Sequence, residues 1–154
     1  MVPLDQTLHD DELTVRPFVV GDRAAMIAGR DDEFRRFLPD ASSDPQPMAS
    51  ICVSGTVVGW IDYDHDDDRH WLRADQVNMG YNVFPEHRGH RYASRALRLL
   101  TRFLLAHEPP LHPTLLIDPQ NAPSMATASL AGFEDTGVVD GERFFVLPDS
   151  PPTR

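Results

Sequence analysis

The sequence contains little that would cross-link the chain or anchor it in a membrane. Cys52 is the only cysteine, so no internal disulfide can form. No apolar run approaches the roughly 20 residues that a helix needs to cross a bilayer. The N-terminal segment 1–15 also lacks the basic stretch followed by an apolar stretch that marks a secretory signal. We therefore expect a cytoplasmic protein with no membrane partner.

Positive charge is also scarce. The chain has 14 Lys and Arg residues against 24 Asp and Glu residues, and its formal net charge is -10. Nucleic-acid binding depends on clustered basic side chains that neutralise phosphates, so we expect no nucleic-acid partner. An acidic surface favours the approach of a cationic substrate such as an amine, although it serves solubility equally well.

What the sequence does contain is the composition of one folded domain, with 41% hydrophobic and 25% charged residues. We predict a single domain over 1–154, with its core at about 13–147 and frayed ends outside the core. The patterns of apolar residues predict strands at 13–16, 48–53, 56–63, 77–84, 114–117, 133–139 and 142–147. They predict helices at 22–28 and 32–38, after Pro85, and at 121–130.

The order of these elements predicts the topology of the sheet. Strand 77–84, the helix after Pro85 and strand 114–117 form a crossover unit, whose two strands run parallel. The last two strands are joined by Asp140-Gly141, which is a strong hairpin signal. We therefore predict an α/β fold of the α+β kind, with a mixed, mostly antiparallel sheet flanked by helices.

The segment 83–94 joins the end of a strand to the start of a helix, where free backbone N–H groups can bind an anion. Gly89 lets a ligand approach the backbone closely, and Arg88, His90 and Arg91 add positive charge. The same pattern also occurs in turns that have only a structural role.

The sequence Gly80-Tyr-Asn-Val-Phe-Pro-Glu-His-Arg-Gly-His-Arg-Tyr-Ala93 resembles the acetyl-CoA signature of the GNAT superfamily of N-acetyltransferases. In that family an Arg or Gln is followed by two residues, a Gly, one residue, and a Gly or Ala. The backbone amides of the turn hold the pyrophosphate of coenzyme A. Arg88 and Ala93 match the signature, whereas Arg91 stands at its central glycine. Arg91 either crowds the backbone or pairs with a phosphate of coenzyme A.

A second segment, from Asn121 to Phe133, resembles the branch of the family that contains the ribosomal-protein N-terminal acetyltransferases. In that branch the asparagine contacts the pantetheine arm, and the serine lies close to the thioester sulfur and protonates the departing thiolate. The local alternative is structural, because Asn121 is a good helix N-cap and Ser124 is an ordinary first-turn residue.

The resemblance implies Ser124 and Asn78 as the catalytic positions. Many relatives place a tyrosine acid one helical turn beyond the serine, where this chain has Ala128, so Ser124 becomes the candidate acid. Asn78 stands where the family often has a glutamate base, and an amide cannot act as a base. The base is left open between Asp62, His65 and Glu33, or the amine arrives already deprotonated.

The resemblance thus implies an acetyl-CoA-dependent transferase that acetylates a primary amine of a small molecule or a protein N-terminus by direct attack. The sheet would open where the strands around Val83 and Leu116 diverge. The cofactor-binding residues that it implies are Val83, Phe84, Arg88, Gly89, His90, Arg91, Tyr92, Ala93, Ser94, Asn121 and Ser124. We expect a monomer or homodimer. Two alternatives are a catalytically degenerate acyl-CoA sensor or regulatory protein, and a scaffold that no longer holds coenzyme A.

An acidic segment at 62–70 also has the alternating aspartates that begin a calcium-binding loop. Asp67 stands where that loop needs glycine, and Arg73 stands where it needs a bidentate glutamate. We therefore predict a solvated loop and no metal site.

Overall fold

The computed structural model describes residues 2–64 and 69–148, which form one eight-stranded sheet flanked by helices. The strands are β1 (Leu8–Asp10), β2 (Leu13–Pro17), β3 (Ala49–Val53), β4 (Thr56–Asp64), β5 (Gln76–Val83), β6 (His112–Ile117), β7 (Glu134–Val139) and β8 (Glu142–Val146). The helices are α1 (Arg23–Ala28), α2 (Asp32–Phe37), α3 (Tyr92–Leu105) and α4 (Ala122–Leu130). The strand order is β1-β2-β3-β4-β5-β6-β8-β7, and β5 and β6 are the parallel pair. The predicted fold class is confirmed.

The parallel strands β5 and β6 diverge partway along their length. Their register runs from Gln76 opposite His112 to Met79 opposite Leu115. β5 continues along β4 as far as Val83, which lies opposite Gly59. A gap therefore opens between β5 and β6 beyond Met79, in the region where the sequence predicts one.

The core lies between the sheet and α3. The apolar stripe of this 14-residue helix includes Leu97, Leu100 and Leu104, all of which are fully buried. They belong to one cluster with inward-facing residues of the sheet such as Ile61 and Leu115. α3 is thereby fixed against the sheet, and its N-terminus is fixed beside the gap.

The N-terminal residues differ from the prediction of a frayed end. Leu4 is buried in the core, and Leu8–Asp10 forms the edge strand β1. Arg95 of α3 explains the difference, because its guanidinium donates to the carboxylate and the carbonyl of Asp10, both at 2.8 Å, and to Glu12 at 3.0 Å. A long-range contact therefore stabilises a strand that is too short to show a pattern in the sequence.

Two other expectations need adjustment. Pro85–His87 forms a single 3-10 turn, and α3 begins only at Tyr92. The acidic loop falls partly on 65–68, outside the described residues.

No helix within 2–64 and 69–148 is both long and apolar enough to span a membrane.

Candidate active site

A cleft of about 490 Å³ opens at the gap between β5 and β6. One side of it is formed by the turn before α3 and the first residues of that helix, and the opposite side by the first turn of α4. The helix α2 and the strand β4 contribute an apolar wall that includes Phe34, Phe37 and Trp60. The cleft thus joins a backbone turn, a helix N-terminus and an aromatic surface in one space.

The first turn of α3 offers backbone N–H groups to this cleft. The first intrahelical hydrogen bond runs from the N–H of Arg95 to the carbonyl of Arg91, at 3.1 Å. Helix geometry therefore leaves the N–H groups of Tyr92, Ala93 and Ser94 without an intrahelical partner. Together with the positive end of the helix dipole they form an anion-binding position.

The turn before α3 has a left-handed backbone at two positions, Gly89 with φ 87° and Arg91 with φ 62°. An added Cβ at Gly89 would meet no atom within 4 Å, so the backbone conformation and not the available space favours glycine there. Arg91 thus adopts a backbone conformation that favours glycine, at a cost of about 1–2 kcal/mol. Arg91 is nevertheless one of the residues that line the cleft.

Most of the predicted cofactor-binding residues line the cleft. They are Val83, Arg88, Gly89, Arg91, Tyr92, Ala93, Asn121 and Ser124. Three others lie elsewhere for local reasons. The Phe84 ring packs directly on Gly29 in the core, and the exposed His90 ring stacks on Tyr92 with 5.3 Å between ring centroids. The buried Ser94 hydroxyl donates to the Arg91 carbonyl at 3.0 Å.

The charge of the Arg88 side chain is already paired with carboxylates of the protein. Its guanidinium donates to Asp31 at 2.7 Å, to Glu33 at 3.0 Å and to the Val83 carbonyl at 2.9 Å. The hydrogen bond from Arg88 holds the pKa of Asp31 below its usual value. Asp31 also caps α2 by accepting from the N–H of Phe34 at 2.9 Å. Arg88 therefore ties the start of α2 to the end of β5.

On the opposite side of the cleft, Ser124 lies in the first turn of α4 and contacts two polar partners. Asn121 caps the helix, and its Oδ1 accepts from the N–H of Ser124 at 3.3 Å. The Tyr81 hydroxyl lies 2.8 Å from Ser124 Oγ and donates to the Ser124 carbonyl at 3.0 Å. Burial raises the pKa of Tyr81 to about 12. The sequence gives no signal for this pair, because the two residues lie 43 positions apart.

The carboxylates that the sequence offers as bases are already engaged. Asp62 accepts N–H groups of Met48 and Tyr63 at 2.9 and 3.0 Å, and burial raises its pKa. Glu33 is paired with Arg88. His65 lies outside the described residues. Asn78 lines the cleft, and its buried Oδ1 has no hydrogen-bond partner within the described part of the chain.

Two carboxylates that sequence reasoning missed line the cleft, Asp118 and Glu142. β6 and β8 are antiparallel with Ile117 opposite Arg143, so Asp118 and Glu142, each the next residue along, lie near each other at the end of this strand pair. Burial, and then the neighbouring charge of Asp118, raises the pKa of Glu142, while Arg69 opposes the effect. A half-buried carboxylate with a raised pKa is a candidate proton acceptor.

The backbone of Val83 faces the gap. The N–H of the next residue, Phe84, donates to Val58 on β4 at 2.8 Å. Successive residues of a strand direct their N–H groups to opposite edges, so the N–H of Val83 is directed towards β6. Its carbonyl accepts from Arg88 on the same side. A hydrogen-bond donor is thus available where the sheet opens.

Comparison with known proteins points to one family. The model of the acetyltransferase (GNAT) domain matches residues 44–134. No protein of curated function matches the sequence significantly.

Among solved structures, an acetyltransferase of the GNAT family from Bacillus anthracis has 16% identity and a TM-score of 0.72, covering 91% of this chain and 94% of that chain. The aminoglycoside acetyltransferase AAC(6')-Ib in complex with coenzyme A and kanamycin has 15% identity and a TM-score of 0.76, covering 87% and 93%. The ribosomal-protein-S5-alanine acetyltransferase from Vibrio fischeri has 15% identity and a TM-score of 0.73, covering 96% and 100%. At these identities the likeness to solved structures shows the fold.

Proposed function

Since the chain belongs to the GNAT acetyltransferase family, we propose that it is an N-acetyltransferase that moves the acetyl group of acetyl-CoA directly to a primary amine. The observation that carries the proposal is the position of the α3 N-terminus, where Tyr92 and Ala93 line the same cleft as Ser124, at the gap between β5 and β6. An anion-binding turn beside a slot in the sheet suits a ligand with a pyrophosphate and a long arm.

The turn before α3 would hold the pyrophosphate of coenzyme A. The N–H groups of Tyr92 and Ala93 supply donors, and Arg91 supplies a charge that the family's glycine lacks. The pantetheine arm would lie in the gap, with Asn121 and Ser124 on one side. Solved structures of the aminoglycoside acetyltransferase neighbour contain coenzyme A and acetyl-CoA, which supports the same cosubstrate here.

The protein's own groups would act on the thioester from two sides. The N–H of Val83 would donate to the carbonyl oxygen and stabilise the negative charge that develops on it. Holding the amine and the thioester together supplies much of the remaining acceleration. Ser124 lies on the side where the thiolate leaves, at the positive end of the nine-residue helix α4.

The acceptor that we propose is a cationic primary amine, of a small molecule or of a protein N-terminus. The charge of Asp118 is close enough to raise the pKa of Glu142, so these two carboxylates would favour a cationic acceptor beside them. Glu142 would accept a proton from the ammonium group and release the neutral amine for attack. Neighbours that bind kanamycin or that are named for the alanine of ribosomal protein S5 support an amine acceptor.

The first test is the melting temperature with and without millimolar acetyl-CoA. A ligand at about 100 times its dissociation constant stabilises the folded protein by roughly 2.7 kcal/mol, which gives a clear upward shift. Arg91→Ala should reduce the shift, whereas Arg102→Ala, which removes an arginine from the far end of the same helix, should not. Acetylpantetheine lacks the pyrophosphate and should produce a much smaller shift.

Turnover is then measured with a panel of cationic amines by the appearance of the free thiol of coenzyme A. The one cysteine, Cys52, is buried and leaves the thiol assay undisturbed. A shift followed by turnover supports the transferase. A shift without turnover on any amine favours the acyl-CoA sensor, and no shift at all contradicts the proposed function.

A further inference from the structure

The phenol of Tyr81 crosses the gap between the diverging strands to reach the first turn of α4. Tyr81 lies on β5 two residues beyond Met79, where the pairing with β6 has ended. Its Oη is 2.8 Å from Ser124 Oγ and 3.0 Å from the Ser124 carbonyl oxygen. Both residues line the cleft. The contact therefore lies in the space that the proposed function assigns to the reacting end of the pantetheine arm.

We propose that Tyr81 is a positioning residue, whose hydroxyl holds the Ser124 hydroxyl towards the sulfur of the departing coenzyme A thiolate and strengthens the hydrogen bond that Ser124 donates there. This role rests on the proposed function, because it requires coenzyme A in the cleft. It goes further by naming a pair of hydroxyls, from two separate elements, that acts on the leaving group.

The two hydroxyls have one proton each, and both protons can keep a partner throughout. At rest the phenol donates to the Ser124 carbonyl, and the Ser124 hydroxyl donates to the phenol oxygen. When negative charge develops on sulfur, Ser124 turns its proton to the sulfur and Tyr81 turns its proton to Ser124 Oγ. The Ser124 carbonyl keeps the N–H of Ala128 as its intrahelical donor. The rearrangement therefore leaves no buried polar group unpaired.

Tyr81 does not itself supply the proton of the thiol product. With its pKa raised to about 12 by burial, the phenol holds its proton far more tightly than a thiol, whose pKa is about 8.5. Full transfer from the phenol to the thiolate would be unfavourable by roughly a thousandfold or more. Tyr81 therefore stays protonated and acts by donating a hydrogen bond.

The chemical step balances without ionisation of either hydroxyl. The nitrogen of the neutral amine bonds to the acetyl carbon, and the carbon–sulfur bond breaks with its electron pair on sulfur. The nitrogen loses one proton, and the sulfur finally gains one. Ser124 and Tyr81 stabilise the thiolate between these two events, helped by the positive end of the α4 dipole.

The test is the pKa of the thiol of bound coenzyme A, followed by the ultraviolet absorbance of the thiolate during a pH titration of the complex, with the protein alone subtracted. This measurement needs no acceptor amine. In the wild-type complex the acid dissociation constant of the thiol should be about tenfold larger than in free coenzyme A, because a hydroxyl donates to the charged form. Tyr81→Phe keeps the ring and removes the hydroxyl, and it should lose most of that effect.

The matched control is Tyr63→Phe. Tyr63 is a buried tyrosine of the adjacent strand β4 whose hydroxyl donates to the Val2 carbonyl, and its loss should leave the thiol pKa unchanged. Ser124→Ala should match Tyr81→Phe, and the double variant should lose no more than Ser124→Ala alone, because Tyr81 acts through Ser124. With an accepted amine, Tyr81→Phe should lower kcat about tenfold and leave the Kd for acetyl-CoA unchanged.

The experiment distinguishes failure of the positioning role of Tyr81 from failure of the proposed function. If Tyr81→Phe binds coenzyme A and keeps the wild-type thiol pKa, the positioning role is wrong and the proposed function stands. Independent effects of the two substitutions would also overturn the role, since Tyr81 would then not act through Ser124. Failure of the wild-type protein to bind coenzyme A would overturn the proposed function, and the role of Tyr81 with it.

Discussion

Arg91 combines a left-handed backbone with a charged side chain at the cleft lining, so the effects of backbone and charge can be separated by substitution. Arg91→Ala and Arg91→Gly both remove the charge, but only the alanine keeps the cost of the positive φ of 62°. We expect the glycine variant to be more stable than the alanine variant by about 1 kcal/mol in urea denaturation. Both should weaken acetyl-CoA binding to the same extent in calorimetry. Equal stability of the two variants would show that the turn carries no such strain.

Glu142 is the residue on which we expect the pH dependence of turnover to rest. Only its carboxylate form can accept a proton, so kcat/KM should rise as the pH passes upward through its raised pKa. Asp118→Asn removes the facing negative charge and should lower that pKa, moving the rising limb to lower pH. Arg69 remains in both proteins and keeps its opposing influence.

Replacement of the carboxylate tests the same role more directly. Glu142→Gln should lower kcat/KM by about a hundredfold, the usual loss for a proton-transfer group. Glu134→Gln, at an exposed position of the neighbouring strand β7, serves as the control and should retain activity. An unchanged pH profile in Glu142→Gln would rule out Glu142 as the proton acceptor.

At the scale of elements, α2 depends on Arg88 for its position. A helix of six residues is marginal without tertiary contacts. Arg88→Ala removes the contacts to Asp31, Glu33 and the Val83 carbonyl, so amide hydrogen exchange over 32–37 should become faster and overall stability should fall by about 1 kcal/mol.

Arg35 offers a matched control on the same helix. Its pair with Asp32 at 3.2 Å is solvent-exposed on both sides, and such pairs contribute little. Arg35→Ala should therefore leave the exchange of α2 nearly unchanged. Equal amide hydrogen exchange over α2 in Arg88→Ala and the wild-type protein would show that the Arg88 contacts do not hold this helix in place. Phe34 and Phe37 of α2 line the cleft in which we propose that the amine binds, so Arg88→Ala should raise the KM of the amine more than the Kd of acetyl-CoA.

The elements also show which parts of the molecule the sequence can predict. The turn before α3 and the hairpin at Asp140-Gly141 are local, and their residues determine them; the hairpin has φ values of 51° and 83° at these two positions. The edge strand β1 is held by Arg95, 85 positions away, and has no local signal. The Tyr81–Ser124 contact and the facing Asp118 and Glu142 likewise depend on the register of the whole sheet. Local patterns therefore predicted most of the residues of the turn and of α4 that line the cleft, and missed Tyr81, Asp118 and Glu142.

For the whole molecule, Asp22 links stability to pH. This buried carboxylate accepts from both terminal nitrogens of Arg16, at 2.7 and 2.8 Å, and from Ser50 at 2.7 Å. The hydrogen bonds from Arg16 are the main reason that the pKa of Asp22 is lowered to about 2. A lowered acid pKa means that its stabilisation is present at neutral pH and is lost as the pH falls through about 4 towards 2, to the extent of roughly 2 kcal/mol.

Urea denaturation at several pH values checks this effect. Asp22→Asn should be less stable than wild type at neutral pH by about 3 kcal/mol, because Arg16 loses its charged partner. The difference between the two proteins should shrink as the pH falls below 4, since the wild-type carboxylate is then protonated. Asp75→Asn, which removes a half-exposed partner of Arg73, should show little of this convergence. A constant difference at all pH values would contradict the assignment to Asp22.

The tether formed by Arg88 has a consequence for how the protein could acquire a new acceptor. Arg88 lies in the turn that we propose to bind the cofactor, yet its guanidinium binds Asp31 and Glu33 at the start of α2. Positions 31 and 33 are therefore not free to vary with the substrate, because their carboxylates also anchor Arg88 in the turn that we propose to hold the pyrophosphate. Changes of specificity by mutation would be concentrated at Phe37, Leu38 and Trp60, which line the cleft. A library that randomises those three positions and keeps 31 and 33 should yield more folded, acetyl-CoA-binding variants than one that randomises all five.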